Sequence, residues 1–279
     1  MSIVPPTTDD PRVGTTTSAP QTDYGAAFRR YATIAGVHLA VVAIWYAITA
    51  TGYLKPFILP SPLATLETLF HPRYRWLDNA AVTATEIFVG YWLAVVAGVL
   101  LALLFSWFRT VHAIFFPLLV TISMVPKVAL GPLFVVWFGY GITTNIFFAF
   151  IISFFPILIT TARGLREVEP DLLDLVRALK GTRWQIFTKI QFPGALPYIF
   201  SAMKVGAILA VAGAIVGEFI ASSSGLGYLM IQVQTTLDTA AMFMAVILLT
   251  LLGISLFGFV LLLERIFVVK DARLDANPS

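Results

Sequence analysis

The chain has 279 residues, of which 58% are hydrophobic and 12% are charged, and its net charge is +3 at pH 7. Soluble domains carry about 25% charged residues, so this composition excludes an ordinary water-exposed fold and favours a lipid bilayer. The small net charge and the lack of a basic stripe argue against nucleic-acid binding. The chain has no cysteine, which excludes disulfides, a thiol nucleophile and a cysteine metal site.

Six apolar segments are long enough to cross a bilayer, which needs about 20 apolar residues per helix. Residues 1–28 precede them and are rich in Pro, Thr, Ser and Asp, which predicts a disordered cytoplasmic tail. Residues 29–270 form the predicted membrane domain, and residues 271–279 form a second cytoplasmic tail. The predicted spans are residues 31–54, 87–108, 111–138, 143–162, 196–220 and 239–263. We therefore expect an all-α membrane protein with six transmembrane helices.

The third span contains several prolines and is predicted to be broken, because membrane helices use proline to kink or break. An unwound backbone suits a translocation pathway, which makes Pro126 and Lys127 candidate pathway residues. Lys204 and Glu218 lie in the fifth span and are candidates too, since charges there usually face a cavity or a partner. Two alternatives remain open: Lys204 reaches the headgroups, and Glu218 and Glu86 lie near the outer interface.

The distribution of Lys and Arg predicts the orientation. With the amino terminus inside, 13 Lys and Arg residues lie on the cytoplasmic side, including those of the loop 163–194 and of both tails. At most four lie on the other side, within the outer loop 55–79 and the broken span. The positive-inside rule therefore favours a cytoplasmic amino terminus.

The cytoplasmic loop 163–194 carries the most informative pattern. Residues 171–179 have apolar positions at helical spacing, Gly181 interrupts them, and a second short helix over 182–190 is predicted to end at Pro193. Such a pair of amphipathic helices buries its apolar face on the lipid surface, on the rest of the chain or on another protein. The residues singled out are Leu172, Asp174, Leu175, Val176, Arg177, Leu179, Gly181, Arg183, Trp184 and Pro193.

This loop resembles the EAA loop of binding-protein-dependent ABC importer permeases. In that pattern an acidic residue and two alanines precede a glycine, and Ile-x-Leu-Pro follows. The chain has Asp174-Leu175-Val176 at the first part and Ile190-Gln191-Phe192-Pro193 at the second. Lys180 stands where the family usually has its glycine, and Gly181 follows one residue later.

Four further stretches resemble the taurine, aliphatic sulfonate and nitrate branch of these permeases, which includes relatives for pyrimidine or flavin-type precursors. They are Leu59-Pro60-Ser61-Pro62, the stretch from Val125 to Pro132, Trp137-Phe138-Gly139 and Gly217-Glu218-Phe219.

The resemblance implies a type I importer fold in the bacterial inner membrane. Two copies would pair around a central pathway, each loop 163–194 would dock on one of two ATP-binding subunits, and a periplasmic binding protein would deliver the solute. The sequence does not decide between a homodimer and a heterodimer with a second permease, and it does not identify the solute.

ATP hydrolysis is expected on a separate subunit, because the chain lacks a G-x-x-x-x-G-K-[ST] sequence. We therefore expect no cofactor on this chain, with ATP and Mg bound by the partner. No catalytic or metal constellation is apparent, and the three histidines lie far apart. The alternative function is a secondary transporter or channel that works without ATP, although such proteins often show internal repeats and paired broken helices.

Overall fold

The computed structural model describes residues 24–167, 174–176 and 178–268. All regular secondary structure in this part of the chain is helical, which confirms the all-α prediction. The α-helices are α1 (Tyr24–Ala50), α2 (Pro62–Glu67), α3 (Trp76–Trp107), α4 (Arg109–Ser123), α5 (Gly131–Phe138), α6 (Ile142–Gly164), α7 (Arg183–Ile186), α8 (Phe192–Ala221), α9 (Leu226–Gln234) and α10 (Thr239–Phe267).

Five helical segments in the described residues are long and apolar enough to cross a bilayer. Helices α4 and α5 together make a sixth span, bent by 81° at the break between them. This agrees with the six predicted spans and with the predicted break in the third. The break holds a short 3₁₀ turn, Lys127–Leu130.

Several helix boundaries differ from the prediction. Helix α1 begins at Tyr24, so residues 24–28 are helical, and residues 1–23 lie outside the described part. Helix α3 begins at Trp76 rather than at residue 87, which places Glu86 inside the helix instead of at its outer end. Helix α10 continues to Phe267, because Glu264 is paired with a lysine and does not end the apolar helix.

The predicted stop at Pro193 is wrong. The chain runs as one helical segment from Arg183 to Ala221, with a π-helical turn at Phe187–Gln191. In that turn the N–H of Phe192 donates to the carbonyl of Phe187. Proline lacks an N–H, and it is tolerated here because it occupies the first turn of α8 directly after this change of hydrogen-bond register.

Helices α3, α6 and α8 form the core of the bundle. They approach closely because glycines face neighbouring backbones: a Cβ at Gly90 would lie 2.6 Å from the Ala149 side chain, and one at Gly213 would lie 2.7 Å from the Phe148 carbonyl. Small residues permit such contacts between membrane helices. Helix α1 is mostly exposed and is joined to the rest by Trp45, whose indole donates to the Pro60 carbonyl at 2.9 Å.

The bundle has two ends with different chemistry. We call the end formed by residues 51–75, 139–141 and 222–238 the acidic-pair end. The end formed by residues 108–110, 163–167, 174–176 and 178–191 is the basic-loop end. At the acidic-pair end α2 lies within the outer loop 55–79 and is capped by Ser61, whose hydroxyl accepts from the N–H of Ala64 at 3.1 Å.

Candidate functional site

The first half of the loop 163–194 is described at residues 174–176 and 178–179, which lie at the basic-loop end. Residues 174–176 and 178 are helical, and the N–H of Leu179 donates to the carbonyl of Leu175 at 3.0 Å. The side chains of Leu175 and Leu179 are 56% and 74% exposed, and Val176 is half-buried. Leu172 and Arg177 lie outside the described residues. The segment therefore presents leucine side chains that the described part of the chain does not cover.

The turn after this segment has lysine where glycine is favoured. Lys180 has φ +59°, in the left-handed region, and the N–H of Gly181 donates to the carbonyl of Val176 at 2.9 Å. This is the hydrogen bond of a Schellman helix end, whose left-handed residue is usually glycine. Gly181 is needed for a different reason, because a Cβ there would lie 2.4 Å from a Val176 methyl group.

The second half of the loop is attached to the bundle by aromatic rings. The ring of Trp107, at the end of α3, lies 5.9 Å from that of Trp184 and 5.6 Å from that of Phe187. Thr182 starts α7 with a capping box to Gln185, and the exposed Arg183 follows it. The capping box was readable as Thr-x-x-Gln, but the contact with Trp107 was not, since it joins residues far apart in sequence.

The broken span places Lys127 against aromatic and backbone groups. Its ammonium group donates to the carbonyl of Ser123 and lies 4.9 Å from the centre of the Phe155 ring. Among the described residues, no carboxylate lies within ion-pair distance of this lysine. Lys127 is half-buried and Pro126 is exposed, so the break combines irregular backbone with an unpaired cation.

Lys204 is paired within the bundle. Its ammonium group lies 3.0 Å from the Glu264 carboxylate on α10, and the two side chains are 26% and 15% exposed. The pair joins α8 to α10, a contact that the sequence did not indicate.

Glu218 is held in the interior of the acidic-pair end, with 1% of its surface exposed. Its carboxylate accepts a hydrogen bond from the Thr83 hydroxyl at 2.5 Å and others from the backbone N–H groups of Gly227 and Tyr228. Glu86 faces it and is fully buried. Both carboxyl groups are buried against the rest of the bundle, and Glu218 does not line an open surface of the described chain.

Comparison with known protein families identifies the class of protein. The model of the family "binding-protein-dependent transport system inner membrane component" matches residues 94–268. The chain belongs to this family. It is an ABC importer permease, and this membership argues against the alternative of a secondary transporter or channel that works without ATP.

Relatives of this permease match across most of their length. It is 34% identical to a "probable ABC transporter permease protein" of Haemophilus influenzae, over 78% of this chain and 89% of the relative. It is 33% identical to the formylaminopyrimidine transport permease protein ThiX of Halalkalibacterium halodurans, over 82% of this chain and 92% of the relative. It is 28% identical to the putative aliphatic sulfonates transport permease protein SsuC of Bacillus subtilis, over 85% of this chain and 87% of the relative.

The fold of this permease is that of a type I importer. It superposes on a chain from inward-facing structures of the MetNI methionine ABC transporter with a TM-score of 0.59, at 21% sequence identity. The superposition covers 71% of this chain and 99% of the other. This confirms the predicted fold class.

Proposed function

We propose that this permease docks an ATP-binding subunit through the loop 163–194 and imports a small solute from the periplasm to the cytoplasm. The observation that carries the proposal is the exposure of Leu175 and Leu179 on a helical turn outside the bundle. Burying apolar surface is worth about 25 cal/mol per Å², so these side chains gain most by entering a groove. A helix held in a groove by spaced apolar anchors is a recurring mode of recognition.

The contacts of the loop would allow a force on it to reach the spans. Its second half continues without a break into α8, and the ring contacts of Trp107 join it to α3. A displacement of the docked helix therefore acts on two of the three core helices. Rigid-body movement of this kind is a common basis for alternating access.

We also propose that the basic-loop end faces the cytoplasm, which places the amino terminus inside. The excess of Lys and Arg in the loop 163–194 and in both tails supports this orientation. The absence of cysteine makes the test direct. A cysteine at exposed Ser223 and a cysteine at exposed Lys189 should react with an impermeant reagent from opposite sides of the membrane.

The proposed complex contains two permease copies, two ATP-binding subunits that carry ATP and Mg, and a periplasmic binding protein. The family description supports the binding protein, and the uncovered leucines support the ATP-binding partner. We propose a homodimer of permeases in the bacterial inner membrane.

The proposed solute is a sulfonate, nitrate, a related small organic anion or a heterocycle precursor. The names of the relatives, which refer to formylaminopyrimidine and aliphatic sulfonates, support this range. Identifying the ligand of the cognate binding protein would narrow it.

Lys127 and Pro126 are the proposed pathway residues at the break in the third span. An unpaired cation in irregular backbone suits an anionic or polar solute. Lys127→Ala should lower uptake while the complex still assembles. Lys55→Ala, at an exposed loop position, is the matched control and should transport normally.

The decisive experiment for docking is Leu175→Asp in the full importer complex. The introduced charge would lie unpaired in the groove, so co-purification of the ATP-binding subunit should be lost or solute-stimulated ATP hydrolysis abolished. Insertion of the spans should be unaffected, because Leu175 is outside the bundle. Leu77→Asp is the matched control: Leu77 is 86% exposed at the opposite end, and this variant should keep its ATPase partner.

A Leu175→Asp permease that still binds its ATPase and couples hydrolysis to uptake would contradict the proposal. The helix at 174–179 would then be a membrane-surface element. Arg183→Ala, on the exposed side of α7, should have a smaller effect than Leu175→Asp.

A further inference from the structure

Glu86 and Glu218 present their carboxyl groups to each other inside the bundle, with 0% and 1% of their surfaces exposed. The two residues are neighbours: Glu86 lies one helical turn after Thr83, whose hydroxyl donates to Glu218, and Asn145, which donates to Glu86, packs against Gly217. An ionised carboxylate has only acceptor atoms, so a hydrogen bond between two carboxyl groups requires a proton on one of them. Two anions in contact in an apolar interior would also repel strongly. The geometry therefore calls for one proton in this cluster.

The donors around Glu218 identify it as the ionised partner. It accepts from the Thr83 hydroxyl at 2.5 Å, from the N–H of Gly227 and from the N–H of Tyr228 at 3.3 Å. The two N–H groups belong to the first turn of α9, and the amino terminus of a helix favours a negative charge. Thr83 in turn accepts from the N–H of Leu226 at 2.8 Å, which extends the network to the start of α9.

The surroundings of Glu86 are those of a neutral acid. Its Oε1 atom accepts from the side-chain amide of Asn145 at 2.7 Å, whereas its buried Oε2 atom has no donor among the described residues. The amide oxygen of Asn145, which is also fully buried, is unpaired as well. A buried anionic oxygen without a donor is costly, but an O–H group at Oε2 can donate. Glu218 is the one titratable side chain that contacts Glu86 in the described structure.

We propose that Glu86 and Glu218 form a proton-binding site in which Glu86 Oε2 holds one proton and donates it to the Glu218 carboxylate. The resulting bridge ties α3 to α8 and, through Glu218, to the first turn of α9. The tight fit supports a fixed carboxylate position: a Cβ at Gly225 would lie 2.3 Å from Glu218 Oε1, and one at Gly227 would lie 2.7 Å from Oε2. The inference does not depend on the proposed solute or partners.

A proton fits this site better than a metal cation. Hard cations such as Ca²⁺ and Mg²⁺ take about six or more oxygen ligands. The Glu218 oxygens are already occupied by an O–H and two N–H donors, which a cation would have to displace. Backbone N–H groups also repel a cation, because they carry positive partial charge.

The test compares two substitutions of the same size in the full complex in lipid nanodiscs. Glutamine resembles a protonated glutamate, so Glu86→Gln should keep both hydrogen bonds and move the melting temperature by less than about 2 °C. Glu218→Gln should be more destabilised than Glu86→Gln, because Glu218 accepts at both of its oxygens and glutamine has only one: its NH₂ would face either the N–H groups of α9 or the Thr83 hydroxyl. Equal damage from both substitutions, or greater damage from Glu86→Gln, would overturn the assignment.

An infrared measurement keeps the proposal testable even if Glu218→Gln fails to fold. The wild-type complex at neutral pH should show the carbonyl stretch of a protonated carboxylic acid, and Glu86→Gln should lose that band. If the band is absent from the wild type or is retained in Glu86→Gln, the proposal is wrong. A melting temperature that depends on sodium in the wild type and not in Glu86→Gln would also overturn it, in favour of a cation.

Discussion

The two ends of the bundle differ in the groups that distinguish them, although both expose some large apolar side chains. At the acidic-pair end, charged and polar side chains are buried and matched within the chain, as Glu218 is by Thr83 and the first turn of α9. At the basic-loop end, the apolar side chains of Leu175, Leu179 and Trp184 are exposed. The first end holds its buried charge by contacts within one copy of the chain, whereas the exposed leucines of the second lie on a helical turn outside the bundle.

The difference is also seen in how each end is fastened. Asp238 caps α10 and accepts from the Tyr74 hydroxyl and from Arg73 at 3.0 Å, so the acidic-pair end is joined by directional hydrogen bonds. The second half of the loop 163–194 is held by ring contacts around Trp107, which are less directional. We infer that the acidic-pair end is specified by its own network, and that the basic-loop end is shaped to receive a partner.

The largest expected effect is at the acidic-pair end. Gly225→Ala should lower the free energy of unfolding by about 2–3 kcal/mol, because its Cβ would overlap the Glu218 carboxylate and its φ of +111° suits glycine. Thermal unfolding of the purified permease measures this. Gly258→Ala in α10, where a Cβ meets nothing within 4 Å, is the control and should be neutral. Similar losses of stability in Gly225→Ala and Gly258→Ala would contradict this prediction.

A smaller loss is expected at the pair that joins α8 to α10. Lys204→Met should cost about 2 kcal/mol, because it leaves the Glu264 carboxylate unpaired and only 15% exposed. Adding Glu264→Gln should restore most of the stability. Uptake by the double variant then decides the pathway role: normal transport means that Lys204 is structural, and lost transport from a stable protein means that it serves the pathway.

Trp107→Ala should separate stability from coupling at the basic-loop end. Removing the ring contacts should cost about 1 kcal/mol, because the side chain is 45% exposed. Solute-stimulated ATP hydrolysis should fall more than stability does, and Trp107→Phe should retain most of both. If unfolding and coupling change in parallel, the aromatic cluster is only a structural contact.

The smallest expected effect is a gain. Lys180→Gly should stabilise the helix end by about 0.5–1 kcal/mol, because the residue has a left-handed conformation that glycine adopts without a steric cost. Differential scanning calorimetry of the purified permease would detect the shift, with Lys189→Gly as a control that should not be stabilised. A destabilised Lys180→Gly would mean that the lysine side chain contributes a contact of its own.

The sequence by itself determined the membrane class, the number of spans and the broken third span. These follow from local properties, namely runs of about 20 apolar residues and prolines within one of them. It also identified the loop 163–194 as distinctive, because charge excess and helical periodicity are patterns among neighbouring residues. The family resemblance from short motifs was confirmed by the match over residues 94–268.

Only the tertiary structure decided which charges are paired, because pairing depends on which helices are neighbours. Glu86, Glu218 and Lys204 looked alike in the sequence, as charges within or beside apolar runs. In the fold two of them meet across α3 and α8, and the third meets Glu264 of α10. The early start of α3 and the continuous helix through Pro193 have the same origin. The buried Glu86 has a hydrogen-bond partner on another helix, and the hydrogen-bond register shifts just before Pro193. Each group would be expected to end a helix if only its sequence neighbours were considered.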